Sequence, residues 1–487
     1  MTKRRRGGSS IPPRAGFAAA CCAVLLGAAC AAFGADPSRL PAPLSNWLAQ
    51  AGIPETGIGL VVQEVGATQP VLTLEPDRPM RTASVMKLVT TLAALETLGP
   101  AATWRTEVYA AGPLSGDVLE GDLLIKGSGD PQLTQERLWM LLRELRQRGI
   151  REIRGDLVLD GAVLAPAADD PGRFDGRGER PYNALPDGLL MNYQAVALRF
   201  VPGMNGAVGV LLEPALSQLQ LINRLTLDDG PCGDWQSRLG LKVLDRGERA
   251  VILMSGAFSS QCGEKTDQLR VLNSPAYDYG LFRLLWEELG GVLTGGVRTA
   301  GAAPAVRLLA AAESPPLAEL VRAINKNSNN VMARQIFLGL GARVLGAPGT
   351  PEKGAAAVRQ WLAGKGLDFP ELVMENGAGL SRSESISPRH LADLLLAAHA
   401  GPLMPEFIAS LPLAAVDGTM KRRLNGSPAS GRAYIKTGYL AGVRAMAGYV
   451  LDRRGRWIAV VCFINHPQAV AGRAFLDGLL EWAYGLQ

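Results

Sequence analysis

The chain has 487 residues, 47% of them hydrophobic and 20% charged, and no long low-complexity tract, so it can bury two or three cores and is not a disordered or fibrous protein. Its formal net charge of +5 is carried by Lys3, Arg4, Arg5, Arg6 and Arg14, leaving the rest balanced. No nucleic-acid partner is expected, because phosphate recognition needs a concentrated positive footprint.

The basic start runs into an apolar stretch, residues 16–33, followed by small residues around Ala35. This order predicts a signal peptide over residues 1–34, and with it export to the periplasm. The alternatives are an uncleaved N-terminal anchor and lipidation at Cys30, although Gly27 stands where a lipid box prefers Leu. Residues 58–63 and 70–74 flank a Gly-Ala-Thr turn and predict a hairpin. Met86, Val89, Leu92, Ala93 and Leu95 follow helical spacing up to the stop signal Gly99-Pro100. From Trp104 to about Val297 the texture changes to short alternating strands, such as 118–125, 155–160 and 207–212, between Gly, Pro and Asp turns. Residues 105–296 are therefore expected to be a strand-rich insertion, with room for two subdomains. Helices return after Pro315, clearest at 317–325, 331–340 and 388–398, and strands near 433–436, 445–451 and 457–464 precede a last amphipathic helix. The class is α/β: one domain of residues 35–104 and 297–487, a helical part plus an antiparallel sheet, interrupted by the insertion.

Past the leader three cysteines remain. Cys232 and Cys262 sit in polar turn contexts that suit a disulfide in an oxidising compartment, the alternative being two free thiols, whereas Cys462 lies in an apolar run and reads as a buried strand thiol. No Cys/His spacing resembles a zinc site, and no metal or cofactor is expected.

There are only three histidines, His390, His399 and His466, and neither His390 nor His399, which flank a helical segment, sits in a nucleophile-like context, so a Ser-His-Asp triad has little support. Ser84-Val85-Met86-Lys87 offers another base, since three residues of helix bring Lys87 back beside Ser84. Alone the tetrapeptide reads more readily as a helix cap and a solvated lysine. Ser328-Asn329-Asn330 before a helix and Lys436-Thr437-Gly438 on a predicted strand change that weighting. A serine hydroxyl needs a neutral amine to take its proton, and a second cation such as Lys436 would depress the pKa of Lys87. Lys436 and Thr437 can bind a terminal carboxylate, and Gly438 can let substrate lie along the strand edge. Ser328 can relay a proton to a leaving amine, Asn330 can hold the substrate amide, and the N–H groups of Ser84 and Tyr439 can form an oxyanion hole.

With these three motifs the chain resembles the D-alanyl-D-alanine carboxypeptidase/endopeptidase family, the class C low-molecular-mass penicillin-binding proteins. The likeness extends to Gly121-Asp122-Leu123, Gly127-Ser128-Gly129-Asp130-Pro131, Gly155-Asp156-Leu157, Asn325-Lys326 and Asp417-Gly418-Thr419. It implies a penicillin-binding-protein/β-lactamase-like transpeptidase domain split by a large insertion. It further implies peptidoglycan stem peptides ending in D-Ala-D-Ala as substrates and β-lactams as inhibitors; a homodimer is compatible with the sequence, which does not reveal oligomeric state. Two departures are Asn376-Gly-Ala-Gly379, where Asp-Gly-Ser-Gly is usual, and Tyr439, where Thr or Ser is common. The competing readings are a β-lactam-hydrolysing enzyme on the same scaffold and a non-catalytic wall-binding module. No Glu in an evident loop position can be assigned to activate a deacylating water.

Overall fold

The computed structural model describes residues 37–166, 170–203, 206–300 and 307–486; the expected signal peptide lies outside them. The end of the chain supplies most of the central sheet. Its antiparallel strands are ordered Leu72–Leu74, Ile58–Glu64, Trp457–Asn465, Val443–Leu451 and Ala433–Leu440. Strand Trp457–Asn465 is apolar on both faces because each face meets a different core. Ala459, Val461 and Phe463 join the helical core, while Ile458, Val460, Cys462 and Ile464 pack with the helices Ala42–Ala51 and Arg473–Tyr484. Cys462 is thus buried, as its apolar context implied, and burial pushes its thiol pKa up.

On the helical side, Lys87–Leu98 is buried from Lys87 through Leu95 and is packed by Leu317–Asn327, Asn330–Leu345 and Pro351–Gly364. Pro351–Gly364 escaped the sequence reading although its signals were present: Thr350 caps it by accepting from Lys353 N at 3.2 Å, and proline begins it. Among the described residues, no helix is long and apolar enough to cross a membrane.

The insertion contains more helix than expected. Helix Gln135–Gln147 buries Leu138, Leu141, Leu142 and Leu145, a helical stripe, and Ser274–Glu288 is capped by Asn273, whose side chain accepts from Ala276 N at 2.9 Å. These helices share one core with a five-stranded, a four-stranded and two three-stranded sheets. The predicted run 118–125 is broken at Glu120-Gly121 into Val118–Leu119 and Asp122–Lys126, which enter different sheets. The chain also leaves the insertion later than residue 297. Val297–Thr299 and Arg307–Glu313 are outer strands of the five-stranded sheet, the latter pairing with Arg105–Ala111, and Leu317 is the next residue in the helical core. The reason is that a strand cannot satisfy its backbone without a partner, and the partner lies in the insertion.

Cys232 and Cys262 are bonded across a sequence separation of 30. By loop entropy, replacing both by Ala should destabilise the protein by roughly 3 kcal/mol, read from denaturant unfolding. Non-reducing peptide mapping should recover the linked pair; finding both thiols free in oxidatively produced protein would refute it.

Candidate active site

Ser84 stands on the short 3-10 turn Ala83–Met86 that leads into helix Lys87–Leu98. The turn is tighter than the helix assumed from sequence, and Ala83 adopts φ 47°, a left-handed conformation that a residue with a Cβ resists. Two glycines let the surroundings close on this strained backbone. A Cβ on Gly379 would lie 1.8 Å from Ala83 O, and one on Gly438 would lie 2.5 Å from Thr82 O. Gly438 is therefore required by close packing against the turn that carries Ser84, a reason separate from clearing space for substrate.

Lys87 Nζ lies 3.0 Å from Ser84 Oγ and donates to Asn330 Oδ1 at 2.6 Å and to Ala378 O. Burial drives its pKa well down, the charge of Lys436 adds to the depression, and Glu384 opposes it. A neutral amine has two N–H bonds and one lone pair. With Asn330 and Ala378 taking the N–H groups, the lone pair is left for the Ser84 hydroxyl proton.

Ser328 sits between two helices, as the left-handed C-cap of Leu317–Asn327 with φ 56°, while Asn329 caps the next helix by accepting from Met332 N at 3.0 Å. Asn330 opens that next helix, which turns its side chain onto Lys87. Lys436, fully buried on strand Ala433–Leu440, donates to Ser328 Oγ and to Thr437 O, both at 2.9 Å. Desolvation lowers its pKa to about 7. The strand is the sheet edge, and its backbone alternates: Arg432 O accepts from Leu451 N of the neighbouring strand, whereas Ile435 N donates outward to Pro412 O. By that alternation the N–H groups of Thr437 and Tyr439 point to the outer side. The structure thus joins Ser84, Lys87 and Asn330 in one hydrogen-bonded group and Ser328 and Lys436 in a second, near enough for the charge of Lys436 to act on Lys87, with Thr437, Gly438 and Tyr439 following Lys436 along the strand.

Glu384 was missed by sequence reasoning. Buried among backbone, its carboxylate accepts from Glu375 N, Asn376 N and Gly377 N on Oε1 and from Gly379 N on Oε2, at 2.7–2.9 Å. These bonds shape the loop whose Ala378 O receives Lys87 and whose Gly377 O receives Thr90 Oγ1 at 2.6 Å. A lone glutamate after a serine-rich turn carries no spacing signal for such a role. His390 and His399 have other partners: His390 pairs with Glu371 and stacks on Phe369, and His399 packs against Tyr449 and Trp457.

Residues 40–485 match the model of the D-Ala-D-Ala carboxypeptidase 3 (S13) family. The D-alanyl-D-alanine carboxypeptidase DacB of Haemophilus influenzae is 26% identical over 417 residues, covering 85% of this chain and 86% of that protein. A D-alanyl-D-alanine carboxypeptidase of an Actinomadura species is 30% identical over 458 residues, covering 88% and 82%. Among solved structures, penicillin-binding protein 4 of Haemophilus influenzae matches with TM-score 0.74 at 24% identity, covering 90% of this chain and 99% of its own. The fold is thus that of the penicillin-binding proteins, as the motifs implied.

Glu384→Gln tests the loop's support, because the amide nitrogen would face an N–H donor and leave one buried donor unsatisfied. Stability should fall by roughly 1–3 kcal/mol, measured by denaturant titration. A variant as stable as the parent would show that the carboxylate is not what orders residues 375–379.

Proposed function

Since the chain belongs to the D-Ala-D-Ala carboxypeptidase 3 (S13) family, we propose that it hydrolyses peptides ending in D-Ala-D-Ala through an acyl-enzyme on Ser84, and is acylated there by penicillin. The observation that carries this reading is the meeting of Lys87 with Ser84 on one side and with Asn330, 243 positions away in sequence, on the other.

Neutral Lys87 takes the Ser84 proton as Oγ attacks the carbonyl carbon of the penultimate residue. The oxyanion is held between the N–H groups of Ser84 and Tyr439. Collapse breaks the C–N bond, and the proton held by Lys87 passes through Ser328 to the departing amine, leaving Lys87 neutral. Water then attacks the ester with loss of a proton to Lys87, which returns it to Ser84 Oγ as the C–O bond breaks, releasing the shortened peptide. If the departing amine belongs to a cross-linked stem instead of free D-Ala, the same steps constitute endopeptidase action. In penicillin the attacked amide is the β-lactam, whose leaving nitrogen remains tethered to the acyl group. Glu384 does not supply a base for rapid β-lactam hydrolysis, because its oxygens are committed to four backbone N–H groups.

Export by residues 1–34 to the periplasm belongs to the same proposal. The disulfide between Cys232 and Cys262 supports an oxidising location.

Penicillin labelling followed by mass mapping should place the adduct on the Ser84 peptide, and labelling that survives Ser84→Ala would reject the assignment. Lys436→Ala should lower kcat/KM for a D-Ala-D-Ala peptide about ten- to hundredfold. It should also abolish most of the preference for the free acid over the C-terminal amide; an unchanged ratio would place carboxylate recognition elsewhere. The pH profile adds a sign. Lys436, with its pKa lowered to about 7, is charged below that value and neutral above it, so the acid-to-amide preference in kcat/KM should decline as pH rises through neutrality. Protonation of Lys87 should reduce turnover of both peptides at the acid end. A preference independent of pH would contradict the role given to Lys436.

A further inference from the structure

Thr419 carries the second hydroxyl at the mouth of the cluster. Its Oγ1 lies 2.8 Å from Thr437 Oγ1, and Thr419 is exposed. The strand itself offers no equivalent group stacked so closely on Thr437: two residues on, the ring of Tyr439 lies under the guanidinium of Arg444, 3.8 Å from Cζ to ring centroid.

Thr419 is held in place by several constraints. Asp417 binds Lys326 Nζ through both carboxylate oxygens, at 2.8 and 2.7 Å, and accepts from Leu413 N at 2.8 Å, while Lys326 also donates to Leu411 O at 2.6 Å. Lys326 is two residues before Ser328, so one ion pair fastens the loop of Thr419 to the helix end that carries the proton relay. Gly418, at φ 56°, completes the attachment: a Cβ there would lie 2.6 Å from Lys326 O. The loop that carries Thr419 is therefore held beside Thr437 by the fold.

The charge balance points to the ligand. Lys436 donates only to the neutral acceptors Ser328 Oγ and Thr437 O, and the charge of Lys326 is already met by Asp417. An anion at the mouth would face an uncompensated ammonium and two adjacent hydroxyls. In their mutual contact the hydroxyls share one hydrogen bond between neutral groups. On a carboxylate both could donate, to an ionised acceptor with room for four bonds.

We propose that Thr419 is a substrate-specificity residue which, with Thr437, donates a hydrogen bond to the terminal carboxylate of the D-Ala-D-Ala peptide. This rests on the carboxypeptidase reading given above. The test compares wild type, Thr419→Val and Thr419→Ser on a D-Ala-D-Ala peptide and its C-terminal amide. Val keeps the shape and removes the hydroxyl; Ser keeps the hydroxyl. The expected result is about a tenfold loss of kcat/KM for the acid in Thr419→Val, with the amide changed less than about twofold and Thr419→Ser within about threefold of wild type on the acid. An unchanged acid-to-amide ratio in Thr419→Val, or an equal loss on both peptides, overturns the assignment while leaving the carboxypeptidase reading intact. A wild-type protein that cleaves neither peptide overturns both.

Discussion

Two lysines share one buried site, and the organisation of the site follows from what that costs. Burial disfavours the charged form of Lys87 and of Lys436, and the charge of Lys436 further disfavours that of Lys87. The partners differ in what they tolerate. Lys87 has two acceptors and a serine hydroxyl within reach, an arrangement that a neutral amine completes. Lys436 lies toward the strand edge, where an incoming carboxylate would stabilise its charge. Under the proposed function, the fold thereby separates a proton acceptor from an anion receptor using the same residue type.

That separation survives only if the two lysines cannot shift. The left-handed conformations of Ala83 and Ser328 set Ser84 and the Ser328 hydroxyl at angles that ordinary helix would not allow. Gly379 and Gly438 let backbone approach the turn that carries Ser84 to distances that any side chain would forbid. Glu384 holds the opposite wall with four backbone hydrogen bonds. The strain is offset by packing on every side, which is the usual condition for strain to persist at a functional site.

The insertion takes part in this bracing. Asp187 N donates to Gln335 Oε1 at 3.1 Å and Gln335 Nε2 donates to Asp187 O at 2.7 Å, on the helix that begins with Asn330. Leu164 pairs with Gly349 in the turn that follows the same helix. The side chain that touches Lys87 is thus carried on an element supported from the insertion as well as from its own domain.

The sequence by itself determined the local requirements: the spacing of Ser84 and Lys87, the helix after them, the apolar strands at the end of the chain, and the polar turns around Cys232 and Cys262. Each depends on residues close together, so periodicity and turn chemistry expose it. Helix Gln135–Gln147, from its leucine spacing, and helix Ser274–Glu288, from its Asn273 cap, were legible too but were outweighed by the surrounding strand texture, and Pro351–Gly364 was legible from its Thr350 cap and leading proline. Only the tertiary structure decided that strand Arg307–Glu313 belongs to the insertion, that Glu384 supports the lysine loop, that Gly438 serves packing, and that Thr419 stands beside Thr437. The physical reason is common to all four. A backbone group, a buried carboxylate or a missing Cβ acquires its meaning from whatever long-range folding brings against it, and no spacing along the chain encodes that partner.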